Sequence, residues 1–283
     1  MNSTAASGAM AQRLARPEIS NLVLRVISAV ALLPLAVAIV WLGGWVFAVF
    51  LALLAAAMAS ELAAMARAAP GLRATMIAAA ALAPLIFIYG GLQPAVAAVG
   101  LGAVLVAILA AVARKSDGPL LVGAYGYVSC ALLAVLWLRH APEAGFSTVA
   151  WIFAIVVATD IGAYFAGRGI GGPKLAPRIS PSKTWSGLIG GVICAGFAGW
   201  AVSWLAGEAG SLWTVALGGL LAVVAQCGDL LESALKRHFG VKDAGSLIPG
   251  HGGVLDRLDG FLSVAPVAAV VTWGLSGSPL KWV

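Results

Sequence analysis

The sequence predicts an all-α, polytopic integral membrane protein of about nine transmembrane helices, with the N-terminus in the cytoplasm and the C-terminus on the opposite side. Three observations lead there. Of 283 residues, 61% are hydrophobic and 10% charged, with a mean hydropathy of +1.01, which is too apolar for a soluble domain. Apolar runs recur near the ~20 residues that a helix needs to cross ~30 Å of hydrocarbon. Of the 17 Lys and Arg residues, all but Arg139 and Lys281 fall on segments that the span count assigns to the cytoplasm.

Residues 1–21 are small and polar and read as a disordered cytoplasmic tail. No charge appears between Ile27 and Ser60, and Gly43–Gly44 divides that run into two spans. The run 74–113 is divided in the same way at Gly90, Gly91 and Pro94. A fifth span covers 118–138 and completes a bland N-terminal transmembrane region, 22–146. The remainder, 147–283, holds nearly all the chemistry: spans at 147–165, 184–207, 209–231 and 260–280, with cytoplasmic loops 167–184 and 233–259.

The net charge of +6 does not indicate a nucleic-acid partner, because the basic residues sit in short loops between apolar runs. Cys130, Cys194 and Cys227 are odd in number, lie in apolar runs and read as small buried hydrophobes. Four acids lie in or at the edge of spans, where a carboxylate is expensive: Glu61, Asp160, Asp229 and Glu232. Glu61 reads as a structural ion pair or an interfacial group. Glu232 stands one turn before Lys236 and pairs with it. Asp229 has no such local partner, and Gly228 beside it leaves room for a ligand, so a metal or substrate role is expected. Asp160 reads either way.

In loop 167–184, glycines and prolines exclude a long helix. Arg168, Lys174, Arg178 and Lys183 make it basic, which topology alone explains. Topology does not explain Ser180, Ser182, Lys183 and Thr184 directly before a span. Hydroxyls, an ammonium and a helix N-terminus together make a phosphate site.

The second loop, SALKRHFGVKDAGSLIPGHGGVLDRLDG, concentrates Lys236, Arg237, Lys242, Asp243, Asp256, Arg257 and Asp259 on a glycine-broken backbone. Helical spacing puts Asp256 and Asp259 on one face. With Asp229 they form a set of carboxylates suited to Mg2+. His251 is either a phosphate donor or a structural residue, and His238 is interfacial. Zinc is disfavoured, since no thiol or second histidine stands at ligand spacing.

The run S-x-L-K-R-x-x-x-x-K-D-x-G-x-x-I-P-G-H-G-G-x-x-D-R-x-D, Ser233 to Asp259, resembles the signature of the CDP-diacylglycerol synthase (phosphatidate cytidylyltransferase) family. The aspartate before Ala163–Tyr164, then Gly167–Arg168, then Ile179 to Thr184, resemble that family's other motif. The resemblance covers roughly Trp151 to Gly260. It implies a membrane enzyme of phospholipid biosynthesis that joins CTP and phosphatidate into CDP-diacylglycerol and pyrophosphate. It implies Mg2+ as cofactor, with a second cation left open, and a homodimer. Position by position it implies metal ligation by Asp229, Asp256 and Asp259, and nucleotide binding by Ser180, Lys183 and Thr184. Lys236, Arg237, Lys242, Asp243, His251 and Arg257 fall on the rest of the signature as catalytic candidates, with Asp160 and Arg168 as possible additions. The chain has Ser186 where the family often has Glu, and Ile161 where it often has Thr. The active site is expected at the cytoplasmic face of a bacterial inner membrane, where cytosolic CTP meets a lipid substrate. Another CTP-dependent lipid transferase or kinase, or a cation-coupled transporter, are the alternative readings.

Overall fold

The computed structural model describes residues 34–142, 144–208, 210–245, 247 and 252–281. The expected tail 1–21, the first part of the first span and His251 lie outside the described residues. The described residues are mostly helical: α1 (Gly44–Met65), α2 (Pro70–Gly90), α3 (Leu92–Val112), α4 (Gly118–His140), α5 (Gly145–Gly169), α6 (Trp185–Leu205), α7 (Leu212–His238) and α8 (Leu255–Gly274). A short hairpin of β1 (Lys174–Ala176) and β2 (Ser180–Thr184) lies between α5 and α6, and a 3-10 turn, Pro279–Lys281, follows α8. Residues 34–42 are also helical.

Among the described residues, α1 to α7 are seven helices long and apolar enough to cross a membrane. Of the other two expected spans, the first is described only over residues 34–42, and the last falls on α8, whose start carries Asp256, Arg257 and Asp259. The breaks read from glycines are where the helices end. Gly43 adopts φ +63° between residues 34–42 and α1, a conformation that favours glycine, and Gly91 at φ +79° separates α2 from α3.

The helices bury one face and leave the other apolar. Phe47, Leu51, Met58 and Leu62 of α1 pack into one core with Tyr125, Leu132 and Leu136 of α4 and Leu262 of α8. Leu101, Val104, Leu105 and Ile108 of α3 are exposed, as suits a lipid-facing surface. Cys130, Cys194 and Cys227 are free and exposed as well, not buried as the sequence suggested; an apolar residue on such a helix is stable on either face. The tightest packing is along α5 and α6, where glycines replace side chains. A Cβ at Gly162 would stand 2.6 Å from the Gly190 carbonyl oxygen, and one at Gly191 would stand 3.0 Å from that of Thr159.

Long-range hydrogen bonds sort the helix ends. Lys115 Nζ donates to the carbonyls of Ala66 and Arg67, both at 2.9 Å, and His238 lies 3.0 Å from Asp117. The end of α1, the start of α4 and the end of α7 therefore meet at one end of the bundle. At the other end, Arg139 Nε donates to the Val40 carbonyl at 2.5 Å and Nη2 to that of Trp41 at 2.7 Å.

The polar segment expected as loop 233–259 is narrower than that. Ser233 to His238 continue α7, favoured by the Glu232–Lys236 pair and by basic residues at a helix C-terminus, and Leu255 already begins α8. Loop 167–184 likewise shrinks: α5 runs to Gly169, and Lys174–Thr184 form the hairpin, with Lys174 opposite Thr184 and Ala176 opposite Ser180.

Candidate active site

The hairpin is tied to the start of α6. Thr184 is the N-cap, its Oγ1 accepting from the Gly187 N–H at 3.1 Å. Ser186 Oγ lies 3.0 Å from that oxygen and donates to the Gly171 carbonyl at 2.5 Å, and the Trp185 N–H donates to the Pro173 carbonyl at 3.1 Å. Ser186, the position that departs from the family pattern, thus closes the base of the hairpin. Between these anchors, Lys183 projects across to α7. Its Nζ stands 2.5 Å from Asp229 Oδ2 and donates to Gln226 Oε1 at 3.0 Å. The hairpin is therefore tied to α7.

On α7, Asp229 and Glu232 are three residues apart and share a face. Gly228 does not leave room for a ligand, as the sequence suggested. It leaves room for α8: a Cβ there would stand 2.7 Å from Ser263 Cβ and 2.8 Å from the Asp259 carbonyl oxygen. That close approach brings Asp259 of α8 to Asp229 and Glu232, with one carboxylate oxygen of each within 4.8 Å of the others. Asp160 of α5 is an electrostatic neighbour of both Asp229 and Asp259. Around Asp259, the Gly260 N–H donates to its Oδ1 at 2.7 Å, and Tyr127 of α4 lies 2.6 Å from Ser263 Oγ.

Asp256 has a different setting. Its Oδ1 is 2.7 Å from Lys236 Nζ, and its Oδ2 accepts from the N–H groups of Ala244 at 2.9 Å and Gly253 at 3.0 Å. Burial by itself pushes this carboxyl up, but the Lys236 ammonium and the two amides outweigh it and hold it below the usual carboxylate range. Asp256 closes the chain between α7 and α8 upon itself and adjoins Glu232, with which it shares Lys236, outside the three carboxylates that converge within 4.8 Å. Lys236 bridges the two regions, standing 2.7 Å from Glu232 Oε2 as well.

That last contact is an ion pair by distance without the direction of a hydrogen bond. Lys236 thus meets the charge of Glu232 at Oε2, while among the described residues Glu232 Oε1 is buried without a directed hydrogen bond. Three carboxylates this close repel one another, and a buried carboxylate with one oxygen left without a directed hydrogen bond is costly. An all-oxygen donor set of this kind fits a hard divalent cation such as Mg2+.

The remaining candidates make contacts of their own or stand exposed. Arg168 Nη1 donates to the Tyr164 hydroxyl at 3.2 Å, and its guanidinium lies 5.9 Å from that ring's centroid. Arg237 Nη1 donates to the Val241 carbonyl at 3.3 Å. Lys242, Asp243 and Arg257 are exposed, and Ser180 Oγ lies 3.5 Å from Ser182 Oγ. Two contributors escaped the sequence reading. Glu232 was explained by its pair with Lys236, although its spacing from Asp229 already placed both on one face. Gln226, the second partner of Lys183, carries no local signal of that role.

Residues 23–274 match the cytidylyltransferase family. The phosphatidate cytidylyltransferase of Brucella suis biovar 1 (strain 1330) is 51% identical over 139 residues, which are 49% of this chain and 52% of that protein. Those of Staphylococcus haemolyticus (strain JCSC1435) and Haemophilus influenzae (strain ATCC 51907 / DSM 11121 / KW20 / Rd) are 43% identical over 128 residues and 42% over 132. The alignments cover 45% of this chain in both cases, and 49% and 46% of the respective relatives. The chain thus spans about half the length of the curated relatives it matches. The family match runs through every element that builds the carboxylate centre, and the chain belongs to the cytidylyltransferase family.

Proposed function

We propose that the protein transfers the cytidylyl group of CTP to phosphatidate, giving CDP-diacylglycerol and pyrophosphate, at the cytoplasmic face of a bacterial inner membrane. The observation that carries this reading is the contact of Lys183 with Asp229, beside Glu232 and Asp259, at one end of a bundle of apolar helices. A lipid headgroup and a soluble nucleotide can meet there without either leaving its own phase. The relatives' shared name supports the same reaction.

A phosphate oxygen of phosphatidate is already anionic near neutral pH and needs no strong general base. It attacks the α-phosphorus of CTP, the bond from that phosphorus to the bridging oxygen breaks, and pyrophosphate leaves with the electron pair. Reactions of this class depend on positioning and charge neutralisation. Asp229, Glu232 and Asp259 would hold Mg2+, which neutralises phosphate charge when bound. Lys183 adds a fixed ammonium beside them, and its side chain is only 13% exposed, so its charge is weakly screened. Arg237, Lys242 and Arg257, on the chain that runs from α7 into α8, would offer further cations to polyphosphate. Thr184 contributes by capping α6 and so fixing the residue before it.

The test is purified protein supplied with CTP, divalent cation and a panel of lipid acceptors. Pyrophosphate release that requires phosphatidate is expected. Release with polyprenols or with no lipid, and none with phosphatidate, would overturn the reading. The mass of the detergent-solubilised protein checks the homodimer that belongs to the same proposal.

A further inference from the structure

Glu61 stands near the end of α1, in the region the sequence presents as bland, and it is 3% exposed. Its carboxylate is aimed at α8. Oε1 accepts from the Val254 N–H and Oε2 from the Leu255 N–H, both at 2.9 Å. These are the residues at which α8 begins: Val254 is its N-cap and has no side chain able to cap it. A helix start leaves its first N–H groups without partners, and a carboxylate there also meets the positive end of the dipole. Glu61 supplies from another helix the cap that the local sequence lacks.

The surroundings are shaped to the side chain. A Cβ at Gly245 would stand 2.6 Å from Glu61 Oε1, and one at Gly253 would stand 2.9 Å from it. Two glycines of the segment between α7 and α8 thus leave the space that the carboxylate fills. Asp259 follows Leu255 by one helical turn, about 6 Å along the axis. Whatever fixes the first turn of α8 fixes where the Asp259 carboxylate points.

We propose that Glu61 is a positioning residue for the carboxylate centre: by capping α8 from α1 it sets the register of Asp259 against Asp229 and Glu232. This rests on reading that cluster as a divalent-cation site within the proposed activity. Glu61 touches neither substrate nor metal and acts through the backbone of Val254 and Leu255.

The experiment compares the full-length chain in detergent with Glu61→Ala and Glu61→Gln. Mn2+ binding is read by electron paramagnetic resonance, and amide exchange over residues 252–262 by mass spectrometry, neither of which requires turnover. Groups that orient metal ligands typically alter affinity by about 10- to 100-fold. Glu61→Ala is expected to weaken Mn2+ binding by about tenfold or more and to speed exchange in 252–262, while exchange in α5 and α6 stays unchanged. Glu61→Gln keeps one acceptor oxygen and nearly the same shape, so it should fall between the two; it also decides the matter if Glu61→Ala does not fold. Mn2+ affinity within twofold of wild type together with unchanged exchange in Glu61→Gln and in any folded Glu61→Ala would overturn the proposal, as would a wild-type chain that binds no Mn2+. A wild-type chain that binds Mn2+ and responds to these substitutions, yet transfers no cytidylyl group, would end the functional reading and leave the role of Glu61 standing.

Discussion

At the scale of single residues, each carboxylate has a separable role. Asp259 converges with Asp229 and Glu232, so Asp259→Asn removes a charge that the proposed cation site would need. Turnover should fall at least about 100-fold, while the melting temperature changes little. Lys183→Ala should also cost about 100-fold in kcat/KM, and Lys183→Arg should not restore it, because a planar guanidinium does not fit the space of an ammonium held by Asp229 and Gln226. Asp256 predicts a pH effect on stability. Its carboxyl titrates lower in the folded state than in the unfolded chain. It therefore contributes stability that is fully present above the unfolded value of about 4 and is lost as pH falls through the folded one. Thermal unfolding of the wild type below about pH 4 should show this loss, and Asp256→Asn should already lack that contribution at neutral pH.

At the scale of elements, the hairpin and the α5–α6 seam place Lys183. Thr184→Ala removes the α6 cap and should cost about 1 kcal/mol, with Thr184→Ser restoring most of it in the same thermal-unfolding measurement. Gly162→Ala introduces a Cβ 2.6 Å from the Gly190 carbonyl oxygen and should cost about 1–3 kcal/mol and lower turnover together. The helices themselves were legible in the sequence, because length and apolarity decide them and glycines such as Gly43 and Gly91 mark their ends. The hairpin was not, since Lys174–Thr184 has neither alternation nor a strong turn pair, and tertiary anchoring through Ser186 and Gly171 holds it. The extension of α7 through Lys236–His238 was obscured by the charge density that marked the segment as a loop.

At the scale of the whole molecule, the site assembles from elements far apart in the chain. Lys183 comes from the hairpin, Asp229 and Glu232 from α7 and Asp259 from α8, and α1 supplies Glu61 beneath the start of α8. Of the residues brought together, Lys183 and Asp259 stand in the two segments where charge concentrates, and Asp229 stood out as an acid inside a span. The sequence could not show that Asp256 turns towards Lys236 and two amides while Glu232 joins Asp229 and Asp259, since that division depends on how α8 packs on α7 at Gly228. The proposed reaction of this assembly moves a cytidylyl group, with its α-phosphorus, onto a lipid phosphate. Its most direct measurement supplies phosphatidate and divalent cation with CTP labelled either at the α-phosphate or at the γ-phosphate, and follows the label into the organic-soluble lipid. The α label should enter the lipid and the γ label should remain in water as pyrophosphate; γ label in the lipid, or no α label there, would contradict cytidylyl transfer.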